Sequence, residues 1–211
     1  MKKLYILGAG GFAREVAWLV TRINEKKPEW DLQGFVSNES VGKIIYKNYK
    51  VVGNDDFLLG LDYEFWIVCA VGSSNIRAKI IQRYYSNSNI HFATLIDPTV
   101  SISSDCSIGE GSVICAGNII TVNVSIGRHV IVNLNCTVGH DSILNDFVTI
   151  NPGVNVSGKV DIGSKSEIGT GAKIIQGKTI APNIIVGAGG IVVRNLIEKG
   201  TYVGVPVKKI K

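Results

Sequence analysis

Ser107-Ile108-Gly109-Glu110-Gly111-Ser112-Val113-Ile114-Cys115-Ala116-Gly117-Asn118-Ile119-Ile120 is the stretch whose spacing decides the architecture: a branched aliphatic residue returns every six positions. Extended both ways, the series runs Ile96, Ile102, Ile108, Ile114, Ile120, Ile126, Val132, Val138, Leu144, Ile150, Val156, Ile162, Ile168, Ile174, Ile180, Val186 and Val192. That period fits neither the 3.6-residue helix nor strand alternation; it fits a triangular parallel β-helix in which three short strands and three tight corners make one turn. Each aliphatic anchor is expected to point into the prism and stack on its equivalent about eighteen residues later. The residue after many anchors is small (Gly109, Gly127, Gly139, Gly163, Gly169, Gly187), and glycine or asparagine at the corners is expected to tolerate the sharp bend and positive φ.

Upstream, Leu4-Tyr5-Ile6-Leu7 reads as a strand, Gly8-Ala9-Gly10-Gly11-Phe12-Ala13 as a glycine turn, and Arg14 to Val20 as the start of a helix. A glycine turn between strand and helix lets backbone amides approach an anion. The second strand, Leu32 to Val36, runs into Ser37-Asn38 rather than the acidic residue of a dinucleotide fold, so a nicotinamide cofactor is not expected. A third strand, Phe65 to Val71, is followed by Gly72-Ser73-Ser74-Asn75 and a helix over Ile76–Tyr85. The expected organisation is an α/β Rossmann-like β-α-β subdomain over 1–92, then an all-β left-handed parallel β-helix with a C-terminal cap over 93–211.

Composition narrows the function. The chain has 45% hydrophobic and 18% charged residues and a net charge of +5. Its lysines are scattered, which suits small anionic substrates better than nucleic acid. No window is long and apolar enough for a membrane span and no leader is evident, so a cytoplasmic protein is expected. Cys69, Cys106, Cys115 and Cys136 have no metal-ligand spacing and read as reduced, small apolar residues; no metal is expected.

With both halves in view, Ile6 to Phe12, Val71-Gly72-Ser73-Ser74-Asn75-Ile76-Arg77, Leu95-Ile96-Asp97-Pro98, Val138-Gly139-His140-Asp141 and Val203-Gly204-Val205-Pro206 resemble one family. It is the sialic acid O-acetyltransferase and bacillosamine-pathway nucleotide-amino-sugar N-acetyltransferase family of hexapeptide-repeat acyltransferases. The resemblance implies acetyl-CoA as co-substrate and a nucleotide-linked amino sugar as acceptor, with sialic acid O-acetylation as the alternative reaction and a non-catalytic scaffold as the alternative of another class. It also implies a homotrimer with the coenzyme groove between subunits, and one flat apolar prism face per subunit is expected to make that contact. By resemblance, Gly10, Gly11 and Phe12 take the phosphates, Ser37 and Asn38 the ribose or base, Gly72 permits close approach, and Asn133 holds the amine. Thr149 stands where relatives often carry a second histidine, and with Thr170 and Ala188 it is expected to contact acetyl-CoA.

Among the three histidines, His91 reads as packing or surface and His129 as a solvated corner residue. His140 differs because Asp141 follows it: an adjacent carboxylate fixes the imidazole tautomer and raises its basicity, as a general base requires. The family match assigns His140 that role, with Asp141 as orienter and the Gly158 amide as oxyanion donor.

Overall fold

The computed structural model describes residues 1–211. The chain opens with β1 (Lys2–Leu7), α1 (Gly11–Lys26), β2 (Trp30–Val36), β3 (Ile44–Tyr46), β4 (Tyr49–Gly53), α2 (Asp55–Leu59), β5 (Phe65–Cys69), α3 (Ser74–Gln82) and β6 (Ile90–Phe92). These strands form one sheet in the order β3-β4-β2-β1-β5-β6. The chain leaves β1 towards β2 on one side and towards β5 on the other, which opens a crevice at the carboxyl end of β1. α1 is helical for a visible reason: Ala13, Val16, Ala17 and Val20 fall on one face and are buried. The β3–β4 hairpin and α2 were not anticipated; α2 is held at its start by the Asn54 side chain, which accepts from the Phe57 amide.

From Leu95–Ile96 onwards the chain winds into the left-handed parallel β-helix that the hexads predict. Its first wall is an eight-stranded sheet starting at Leu95–Ile96, its second a six-stranded sheet starting at Ser101–Ile102, and its third a five-stranded sheet starting at Ser107–Ile108. Anchors from Ile114 to Val192 line one core, and each buried aliphatic chain contributes roughly 1.5–3 kcal/mol. Polar groups inside the corners are bonded: Ser142 Oγ donates to the Ser157 carbonyl and accepts from the Val160 amide.

Glycine and asparagine recur in the left-handed conformation at the corners, together with several other residues. The left-handed residue is not the one after the anchor but the one three places on. It recurs as Gly111, Gly117, Asn123, His129, Asn135, Asp141, Phe147, Gly153, Lys159, Lys165, Gly171, Gly177, Asn183 and Gly189, all at φ between 54° and 76°. The glycines that follow anchors have a steric reason instead. A Cβ on Gly139 would fall 2.6 Å from the Gly158 nitrogen, because successive coils touch there through their backbones.

The N-terminal sheet sits on the first wall. Leu95, Val113 and Ile131 point out of the prism into the same apolar cluster as Ala13, Val16 and Val20 of α1. Polar ties frame this contact: Arg22 grips Asp97 through two hydrogen bonds of 2.6 and 3.1 Å, and Ser74 Oγ donates to Glu167 and the Lys165 carbonyl. Burial alone would raise the Asp97 carboxyl, but hydrogen bonds from Arg22 and Thr99 outweigh it and hold it below its ordinary value. The apolar wall expected to join subunits is therefore covered within the chain. On the other walls the outward residues are mostly polar, with Ile119 and Ile143 as isolated exposed apolar chains.

Candidate active site

The edge between the second and third walls gathers four polar groups from three successive coils. Asp141, in its left-handed corner, turns its carboxylate back so that Oδ2 lies 2.8 Å from His140 Nδ1. Its other oxygen accepts from Asn123 Nδ2 at 2.7 Å, one coil earlier. The hydrogen bonds from His140 and then Asn123 hold the Asp141 carboxyl below its ordinary value. With Nδ1 engaged by a carboxylate, the tautomer with Nδ1–H is favoured and Nε2 is left with its lone pair. One coil later, Gly158 lies under the imidazole: a Cβ there would collide with His140 Nε2, Cε1 and Cδ2. The Gly158 amide donates to nothing in the chain, although its carbonyl accepts from Gly177. His140 remains almost half exposed, at 46%. A base with an open nitrogen beside an unused backbone donor can take a proton and stabilise a developing oxyanion.

A second locus lies at the carboxyl end of β1. Gly10 caps α1, and the amides of Gly11, Phe12 and Ala13 make no hydrogen bond within the chain. They follow directly on Gly10, which with Ala9, Ser37, Asn38 and Glu39 lines a cleft of about 340 Å³. A neighbouring cleft of about 440 Å³ shares Ser37, Asn38 and Glu39 and continues to Val41, Asn54 and Phe57. Free amides at a helix start with no acidic residue in the first turn make an anion site.

Residues 3–84 match the PglD N-terminal domain family. Over full length the chain is 32% identical to the acetyltransferase domain of PglB from Neisseria gonorrhoeae FA1090, covering 100% of both chains at a TM-score of 0.90. It is 27% identical to PerB from Caulobacter crescentus, solved in complex with CoA and GDP-perosamine, covering 100% of this chain and 98% of that one at a TM-score of 0.89. The GDP-perosamine N-acetyltransferase of Escherichia coli O157:H7 is 27% identical over 185 residues, 87% of this chain and 82% of that protein. The chain belongs to the hexapeptide-repeat acyltransferases that N-acetylate amino sugars.

Within this acyltransferase the residues singled out by sequence divide between loci. His140, Asp141 and Gly158 share one edge. Asn133, Thr170 and Ala188 lie on another, between the first and second walls, where a Cβ on Gly169 would press on the Ala188 amide. Asn133 is occupied locally, its Oδ1 accepting from the Leu134 amide. Gly72 lies outside the cleft lining; its carbonyl accepts from Arg77 Nη1 and from Thr149 Oγ1, and nothing in the chain would meet a Cβ there.

Two expectations are corrected. Thr149 is not open to a coenzyme. It is 3% exposed on the first wall, donates to Gly72 at 2.8 Å and accepts from Arg77 at 2.9 Å, so its single proton is spent inside the junction between sheet and coil. His129 is not solvated. It is fully buried, stacked on Phe147 and edge-on to Phe92 and Tyr85, with neither ring nitrogen hydrogen-bonded. Burial first, then the nearby Arg77 and Arg128 charges, pull it down to about 4, so it is neutral. His91 stacks on Trp66. The cysteines are free, and burial pushes Cys69 and Cys115 up to about 12, which leaves them unreactive thiols. No helix is long and apolar enough to cross a membrane.

Proposed function

We propose that the chain transfers the acetyl group of acetyl-CoA to the amino group of a nucleotide-linked amino deoxysugar, with His140 as general base, in the cytoplasmic assembly of a bacterial surface glycan or glycoprotein. The observation that carries the reading is the His140 imidazole, pinned through Nδ1 by Asp141 and open at Nε2 over the unused Gly158 amide. Its likeness to PerB, solved with CoA and GDP-perosamine, supports the substrate class.

The nucleotide diphosphate meets the free amides at Gly11 and Phe12 beside Gly10, and Ser37 and Asn38 reach its ribose or base. The sugar amine attacks the thioester carbonyl carbon and forms the C–N bond, while its proton passes to His140 Nε2. The carbonyl oxygen takes up the negative charge, met by the Gly158 N–H. As the C–S bond breaks, the sulfur leaves as thiolate and takes the proton back from His140, giving the amide and CoA. His140 hydrogen-bonds to Asp141 and to no serine or cysteine that it could activate as a nucleophile, which favours direct transfer.

The working unit is a homotrimer. The reading rests on the division of residues over two prism edges: Asn133, Thr170 and Ala188 lie on one, where α1 meets the coil at Cys115, Ala116 and Leu134, and His140 and Gly158 lie on another. A neighbouring copy that brings its His140 edge against the first edge completes the site and creates the acetyl-CoA groove.

The test is CoA release measured with acetyl-CoA and a panel of GDP-, UDP- and dTDP-linked 4-amino sugars beside their hydroxyl counterparts. Turnover is expected only with an amine. No release with any amine sinks the proposal, and preferential acetylation of a hydroxyl sugar moves the chain to the O-acetyltransferases.

A further inference from the structure

The geometry points to Arg77 as a positioning residue for transfer: a buried guanidinium that fixes the nucleotide-binding sheet on the coil in the one setting in which sugar and base meet. The inference rests on the function proposed above, because it concerns how that acceptor is presented.

Arg77 stands on α3 and is only 1% exposed. All its N–H groups are used. Nε donates to the His129 carbonyl at 2.9 Å; Nη1 donates to the Val71 and Gly72 carbonyls at 2.8 and 3.0 Å; Nη2 donates to the Phe147 carbonyl at 2.8 Å, to Thr149 Oγ1 at 2.9 Å and, at 3.3 Å, to the Val148 carbonyl. The acceptors belong to three pieces of chain: the turn after β5, one corner of the coil and the corner above it. Thr149 closes the figure by donating to Gly72, so turn, guanidinium and coil form a triangle of hydrogen bonds.

A charge held this way is a poor choice for adhesion alone. No carboxylate bonds to it, and burial pulls the guanidinium down to about 10, still charged at neutral pH. Apolar packing would join the two parts at lower cost in desolvation. What the planar fork adds is direction: N–H groups aimed at fixed carbonyls and the Thr149 hydroxyl do not tolerate sliding of the sheet over the coil. The apolar contact between α1 and Val113 or Ile131 has no such selectivity. Gly72 lies in the turn after β5, the strand beside β1, and Gly8 of the glycine turn packs against Ala70 and Val71 of that same turn. The clamp therefore acts close to the nucleotide cleft while leaving the cleft's own amides untouched. A displacement on the order of 1 Å between acceptor and base can lower a transfer rate about a hundredfold.

The experiment compares Arg77→Met, Arg77→Lys and Thr149→Val with the wild type in steady-state kinetics, with separate calorimetric titrations of nucleotide sugar and CoA. The expected result for Arg77→Met is a kcat lower by about ten- to a hundredfold with both dissociation constants within about threefold of wild type. Thr149→Val should show a smaller loss of the same kind, and the double variant should be no worse than Arg77→Met, since both act through one triangle. Arg77→Lys, with charge but no fork, should recover little. Folded Arg77→Met with wild-type kcat, or a loss accompanied by equal weakening of nucleotide binding, overturns the proposal. If Arg77→Met does not fold, Thr149→Val decides by the same two readouts. Wild-type protein inactive on every amino-sugar nucleotide would instead remove the proposed function, which is a separate outcome.

Discussion

The imidazole of His140 rests on the backbone of Gly158, one coil further along, so closely that no side chain fits between them. Two residues eighteen positions apart thus share one small space, and the identity of the second sets the position of the first. Gly158 is not among the left-handed positions, so alanine there strains no backbone. Gly158→Ala is expected to push the ring away and lower kcat about ten- to a hundredfold, with CoA affinity and Tm near wild type. Unchanged kcat in this variant would detach Gly158 from the reaction.

Removing the base itself should be worse than detuning it. His140→Ala is expected to lose about a hundredfold to ten-thousandfold in kcat while binding nucleotide sugar and CoA as before, because neither recognition surface depends on the imidazole. Asp141→Asn should lose less, and Asn123→Ala, which only steadies Asp141, less again. Calorimetry beside initial rates tests the order; loss of either ligand in folded His140→Ala would make His140 a binding residue.

A shared site predicts complementation. His140→Ala supplies an intact nucleotide cleft, and Gly11→Glu, which sets a carboxylate among the free amides, supplies an intact base. Each alone should be nearly inactive, but trimers reassembled from an equal mixture should regain roughly a quarter of wild-type activity, the fraction of interfaces that pair the two good halves. A mixture no better than its components would place the whole site in one chain.

His129 gives a pH dependence that is independent of catalysis. Its folded value, about 4, lies below the ordinary 6.5, so between these limits the unfolded chain binds more protons than the folded one. Stability from this residue is complete above pH 6.5 and falls as the pH drops towards 4, by about 3 kcal/mol over the window at roughly 1.4 kcal/mol per unit. His129→Phe keeps an aromatic ring in a row where Phe147 already holds the left-handed conformation. Thermal melts from pH 7 to pH 4 should slope less steeply in that variant; parallel slopes would assign the acid sensitivity to other groups.

What was legible in the sequence and what was not divides along chain distance. Anchors, corners and the His140-Asp141 pair are set by neighbours within a coil, and their period is visible in one dimension. Asn123 could have been found by stepping back one coil from Asp141, a relation the repeat itself supplies. Thr149 and His129 were misread because each is covered by a part of the chain far away in sequence: Arg77 and Gly72 in one case, Tyr85 and Phe92 in the other. A polar residue at a corner is exposed only if nothing docks there, and docking leaves no periodic trace. The glycines after the anchors answer to closeness and those at the corners to φ, a difference invisible in the sequence because both requirements select the same residue.

The recurring left-handed corner turns the coil into a ruler with a fixed graduation. Insert one residue between Asn123 and Val138 and the later anchors fall out of register with the earlier ones, and Asp141 no longer arrives over Asn123. Insert a complete turn and the phase is restored: walls, edges and corners resume with their former neighbours. Length within the strands of this half can therefore change without loss of register only in whole turns, and copying coils would lengthen the prism without disturbing its chemistry.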